Sequence, residues 1–111
     1  MAVTEHTSGS QTCVAATEHT LTANPETADG AYQLFLDLND LANGEDLEIR
    51  IKETVQDASA TQRVVWYDYV ANVQGEEKIW VSPFLGLVHG WDMSIKSNGT
   101  PVVPYSIRKS G

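Results

Sequence analysis

Along the segment YQLFLDL, Tyr32, Leu34, Leu36 and Leu38 fall on one parity and Gln33, Phe35 and Asp37 on the other. Successive side chains of an extended chain point to opposite faces, so this period of two predicts a strand with one face in a core. The segment DLEIRIKETV repeats the pattern, setting Leu47, Ile49, Ile51 and Val55 against Glu48, Arg50, Lys52 and Thr54, which makes its second face a solvated one. In WDMSIKS, Trp91, Met93 and Ile95 oppose Asp92, Ser94 and Lys96. SNGT then reads as a hairpin turn, with Asn98 and Gly99 suited to positive φ, and PVVPYSIRK returns with Val103, Tyr105 and Ile107 toward the core. KIWVSPF alternates Ile79 and Val81 with Trp80 until Pro83, which has no backbone donor, ends the strand.

QRVVWYDYVANV breaks the rule. Val65, Tyr67 and Tyr69 lie on one parity and Val64, Trp66 and Val70 on the other, so both faces are expected to be covered, within a central strand or against a neighbouring subunit. With weaker strands at TCVAA and HTLTA the total is about seven. The helical rival DLNDLANGE is short and broken by Gly44. The expected fold is therefore all-β, a small antiparallel β-sandwich or flattened barrel formed by residues 13–111. Residues 1–12, MAVTEHTSGSQT, are expected to be a polar N-terminal arm.

Size and charge narrow the function. A chain of 111 residues has room for one core. A net charge of -8 with only seven scattered basic residues cannot present the positive face that phosphates need, so no nucleic-acid partner is expected. No apolar run is long enough to cross a membrane as a helix, and the start lacks both the basic and the apolar stretch of a signal peptide. Synthesis in the cytoplasm and no membrane partner are the corresponding expectations. The single cysteine, Cys13, forms no internal disulfide and reads as a buried, inert thiol.

The candidates for chemistry each have a plainer explanation. LDLNDLANGEDLEIRI crowds Asp37, Asn39, Asp40, Asn43, Glu45 and Asp46 around Gly44. An EF-hand would need glycine at the sixth position and a bidentate glutamate at the twelfth between helices. Counting from Asp37, the sixth is Ala42, the twelfth is Glu48, and the flanks are strands. A tight connection accounts for the cluster, with a weak cation site as the rival. TEHT occurs twice and places His6 and His19 beside glutamates, with His89 as a third histidine, but their positions in arm, strand and loop argue against convergence on a metal. There is no GxSxG elbow, no cysteine in catalytic context and no phosphate-binding glycine loop, so no catalytic residue, metal or cofactor is expected. Paired acids resemble any acidic domain. The sequon Asn98-Gly99-Thr100 precedes Pro101 and reads as a turn. Trp66, Trp80 and Trp91, with Tyr67 and Tyr69, suit a core or a subunit interface, and a carbohydrate platform is the alternative.

The succession of a polar start, TLTANPETADGAYQLFLDLNDLANGEDLEIRIKETV, a strand leading to ANVQGEEKIWVSPF, and a Trp- and Lys-bearing hairpin closing on YSIRK covers residues 18–109. It resembles small structural proteins encoded beside the capsid genes of tailed bacteriophages, the head decoration or cement proteins with a β-sandwich or β-tulip body. That resemblance implies a non-enzymatic virion protein on the outer capsid surface, which binds the major capsid protein and braces the shell. It also implies contacts with other copies of itself, for which a homotrimer is the expectation. The residues expected to contact capsid or subunits are Val3, Thr4, His6 and Thr7 in the arm and Trp66, Tyr67, Trp80 and Phe84 in the body. The alternative is a receptor- or glycan-binding module of a tail or head fibre.

Overall fold

Two alternating segments form the centre of the molecule. β3 (Gly30–Asp37) and β4 (Asp46–Glu53) bury every second residue: Tyr32, Leu34 and Leu36 on one, Leu47, Ile49 and Ile51 on the other. Each lies in its own antiparallel sheet, and the two inner faces pack together. The computed structural model describes residues 2–22, 26–54, 61–76 and 78–110. Val55 and most of the QDASATQ turn lie outside the described residues.

The remaining strands are β1 (Val3–Thr12), β2 (Thr17–Thr20), β5 (Arg63–Ala71), β6 (Ile79–Val81), β7 (Leu85–Leu87), β8 (Trp91–Ser97) and β9 (Val102–Ser110). The first sheet has the order β1-β9-β3-β6, with β7 pairing β3 beside β6, and the second has the order β2-β8-β4-β5. All pairings are antiparallel. The chain is an all-β sandwich. Its principal extents of 42 × 32 × 19 Å give a short axis that matches two sheets stacked about 10 Å apart plus their outward side chains.

Between the sheets, Tyr32, Leu34, Leu36, Leu87, Val103 and Ile107 meet Leu47, Ile49, Ile51, Trp91, Met93 and Ile95, all almost fully excluded from water. Trp91 is the largest of them. Its indole N–H donates to the Ala28 carbonyl at 2.8 Å, so the ring is buried with its polar handle satisfied. Cys13, Leu21 and Leu38 close the ends of this core.

The acidic connection between β3 and β4 is a corner built on its own carboxylates. Asp37 accepts from the Asn39 N–H, Glu45 from those of Ala42 and Thr100, Asp40 from Val102, and Asp46 from Asn98. These bonds tie the corner to the β8–β9 turn, while Leu38 and Leu41 dip into the interior. Gly44 takes φ +86°, which L side chains rarely adopt, and a Cβ at Gly99 would collide with the Glu45 carboxylate.

Three expectations need revision. Residues 3–12 are a strand laid along β9 from Val3 opposite Ser110 to Thr12 opposite Val102, rather than a free arm. Its backbone supplies the ladder without any apolar alternation. TCVAA is the last residue of β1, Thr12, then the buried Cys13 and a turn, and not a strand of its own. β5 is an edge strand, and a register shift between Ile51 and Lys52 places Val64 opposite Lys52, on the same outer face as Tyr67 opposite Arg50.

Candidate functional site

β5 and β6 end their respective sheets on the same side of the sandwich, and their inward residues meet across the gap. Trp80 lies opposite Leu36 and packs against the core, and its indole N–H donates to the Asp68 carboxylate at 2.7 Å. Asp68 sits opposite Ile49 on the inward side of β5, a position where a charge needs a donor. The short distance is that of a charge-assisted bond. This contact fastens the open seam between the sheets.

Outside the seam the same strands are apolar and wet. Val64, Val65, Tyr67 and Tyr69 of β5 and Ile79 and Val81 of β6 are exposed, Tyr69 by 50% and Ile79 by 55%, and Trp66, opposite Ile51, leaves 38% of its surface exposed at the edge of the inward side. Phe84, on the loop after β6, is exposed as well. A nine-residue edge strand with this composition offers free backbone groups to another chain, and such edges are ordinarily blunted by lysine, proline or a cover. β5 contains neither lysine nor proline.

On the outer face of β4 and β5 the tyrosines are held in fixed positions. Tyr67 donates its hydroxyl to Glu48 and Tyr69 donates to Asp46, both at 3.2 Å, and the Arg50 guanidinium lies 5.2 Å from the centre of the Tyr67 ring. Desolvation first, and then the accepting carboxylates, raise both phenols above their ordinary pKa, so they remain donors at neutral pH. Around the edge, on the outer face of the first sheet, a shallow open groove of about 330 Å³ runs along Phe35, Ile79, Pro104 and Tyr105, with Arg108 stacked 3.6 Å over Phe35.

The sequence-selected residues fall into two groups. Trp66, Tyr67 and Trp80 share the β5–β6 side, with Phe84 on the loop beyond. Val3, Thr4, His6 and Thr7 lie on β1, at the opposite end of the strand order. Trp80 belongs to the seam more than to the surface, because it is only partly exposed and its indole nitrogen is engaged. His6 sits at an irregularity in β1, between Glu5 and Thr7, that turns its ring toward Tyr32 and Trp91 at centroid distances of 5.1 and 6.0 Å. Its Nε2 is 3.0 Å from Glu26, and this partner is the first cause of the lowered Glu26 pKa. His19 accepts the Val14 N–H, and His6 and His19 thus serve separate local contacts.

Sequence reasoning named Tyr69 among the aromatics of a core or interface, and gave Ile79, Val81 and Arg108 no surface role. The two-sided apolar pattern of QRVVWYDYVANV was the available signal for the first; the others needed the strand order. A second polar cluster lies on the outer face of the second sheet. Glu18 pairs with Lys52 at 2.8 Å and accepts the Ser94 hydroxyl, while Asp92, almost fully buried, keeps one carboxylate oxygen without a partner. Burial pushes the Asp92 carboxyl up from its ordinary pKa. Among the described residues no three His, Cys, Asp or Glu side chains converge as metal ligands. No protein family, curated protein or solved structure matches the chain.

Proposed function

We propose that the protein is a non-enzymatic assembly protein that docks on other protein subunits through its β5–β6 side, as a decoration or cement protein on the outside of a phage capsid. The observation that carries the reading is the exposed apolar edge strand β5. Its aromatic side chains stand on a stiff two-sheet body whose seam is fastened by Trp80 and Asp68. Tyrosine and tryptophan bring large contact area at small entropic cost, the residue choice of binding surfaces. The role on a capsid comes from the strand pattern that resembles decoration proteins, with the major capsid protein as the partner. Many copies acting together make modest single contacts sufficient.

Cosedimentation with purified particles tests the reading. Attachment in hundreds of copies, at a fixed ratio to the major shell protein, is the expected result. A handful of copies per particle moves the protein to a fibre, and none removes it from the virion.

A second reading rests on Tyr67 and Tyr69, which stand side by side on one outer face beside Glu48, Asp46 and Arg50. Exposed aromatics flanked by fixed polar groups suit a sugar ring, as in a glycan-binding module of a fibre. Saturable binding on a glycan array, lost in Tyr67→Ala, would favour it over shell docking.

A further inference from the structure

We propose that β1 is exchanged between copies, so that the β9 edge of one molecule is filled by residues 3–12 of another. β1 has no fully buried residue. Its ladder runs along β9 alone, and the next residue continues it through the Cys13 N–H and the Pro101 carbonyl at 2.9 Å. Everything the strand gains in its own molecule it gains equally on an identical one.

Two features key the β9 edge to this particular segment. Opposite Tyr105 stands Gly9, where a Cβ would come to 3.0 Å from the phenol oxygen, so a strand with a side chain at that register fits only if the Tyr105 ring gives way by a few tenths of an ångström. Three residues earlier the irregularity at His6 sends its ring against Tyr32 and Trp91 and onto the Glu26 carboxylate. A second copy supplies the same glycine and the same histidine at the same spacing. The occupant is therefore the β1 of another chain, and its His6 completes the cluster of the molecule it enters.

The hinge is where closure is strained. Between β1 in one sheet and β2 in the other the chain reverses within Cys13–Ala16, and Ala16 takes φ +58°. A residue with a Cβ is disfavoured there, and opening the hinge releases it. What opening puts at stake is confined to the turn: the bonds from Val14 N–H to His19, from Thr17 N–H to the Val14 carbonyl, from the Thr17 hydroxyl to the Ala15 carbonyl, and from Ala16 N–H to the Ser97 carbonyl at 2.7 Å. Short strained hinges favour exchange over closure. This inference stands whatever β5 docks on.

Ser8 faces Ser106 across the β1–β9 ladder. Two full-length proteins, Ser8→Cys and Ser106→Cys, each with Cys13→Ala, are unfolded together, refolded and oxidised. Exchange predicts a covalent heterodimer on a non-reducing gel, rising with protein concentration and absent with Thr4→Cys, which faces Lys109, in place of Ser8→Cys. Placing both cysteines in one chain checks that the pair can bond; if it cannot, the facing pair Thr4→Cys and Lys109→Cys replaces it. Ala16→Gly, which tolerates the hinge conformation, is expected to lower the heterodimer yield about five-fold per hinge. A heterodimer yield equal to the mismatched pair at every concentration overturns the proposal.

Discussion

Breaking the seam between the sheets is the perturbation whose size follows most directly from the geometry. Trp80→Phe keeps an aromatic ring against the core but removes the indole N–H that reaches Asp68 at 2.7 Å. A hydrogen bond to a charged group contributes about 1.5 to 3 kcal/mol, and both partners here are only half-buried, so about 1 to 2 kcal/mol is expected for the pair. Asp68→Ala removes the other half. In the single variant Trp80→Phe the carboxylate stays on an inward-facing position without its donor, which adds a desolvation cost to the lost bond. The double variant lacks the stranded charge. Urea unfolding of the parent, the two single variants and the double variant therefore gives a coupling energy of about 1 kcal/mol or more, with Trp80→Phe alone lowering Tm by about 4 to 8 °C. Additive effects, with coupling below about 0.3 kcal/mol, would refute the idea that this contact fastens the open side.

Other substitutions separate core from surface and set the pH response. Trp91→Ala is expected to cost about 3 to 5 kcal/mol in urea unfolding. Val64→Thr, on the outer face of the exposed edge opposite Lys52, is expected to stay within about 0.5 kcal/mol of the parent. The Glu26 carboxyl, lowered chiefly by its bond to His6, contributes stability above the ordinary carboxylate pKa that is lost as pH falls through the folded value. His6→Ala should accordingly flatten the acid limb of a stability-versus-pH curve, and an unchanged limb would contradict this. Asp92 has the opposite sign: its folded pKa is raised by burial, so its contribution is present below the ordinary carboxylate range and lost as pH rises through the folded value. Asp92→Asn is thus expected to raise Tm at pH 7 relative to the parent and to lose that advantage at acid pH; a lower Tm at pH 7 would count against it. The buried Cys13 thiol, raised by desolvation, should react with a disulfide reagent only as fast as the protein opens.

The strands that build the core were legible because burial on one face leaves a mark in the residues themselves. Tyr32, Leu34 and Leu36, and likewise Leu47, Ile49 and Ile51, alternate in the sequence and are buried in the structure. β8 reads equally well on its inner face, but Asp92 and Ser94 are buried on the outer one by neighbours that no local pattern announces. β1 was illegible as a strand because its ladder with β9 is made by backbone groups, and Thr, Ser and Gln serve there as well as any apolar residue. β7, three residues long, is too short to show a period.

For the candidate site, the apolar residues on both parities of β5 pointed to a strand covered on both faces, whereas in the structure β5 is an edge strand and these residues are exposed. The sequence could not say that the strand is an edge, and that placement turns an ordinary core pattern into an exposed surface. The irregularity that aims His6 inward is also invisible in one sequence, because it depends on the register against β9.

The most direct test is attachment by a protein altered only on the exposed edge. Trp66→Ser combined with Tyr67→Ser, shown by circular dichroism and urea unfolding to keep the sandwich, is cosedimented with purified particles beside the parent protein and quantified against the major shell protein. Loss of attachment by the folded variant, with the parent bound at a fixed ratio to the shell, is the predicted result. Equal attachment by both proteins would contradict docking through β5, and failure of the parent to attach would contradict the capsid role itself.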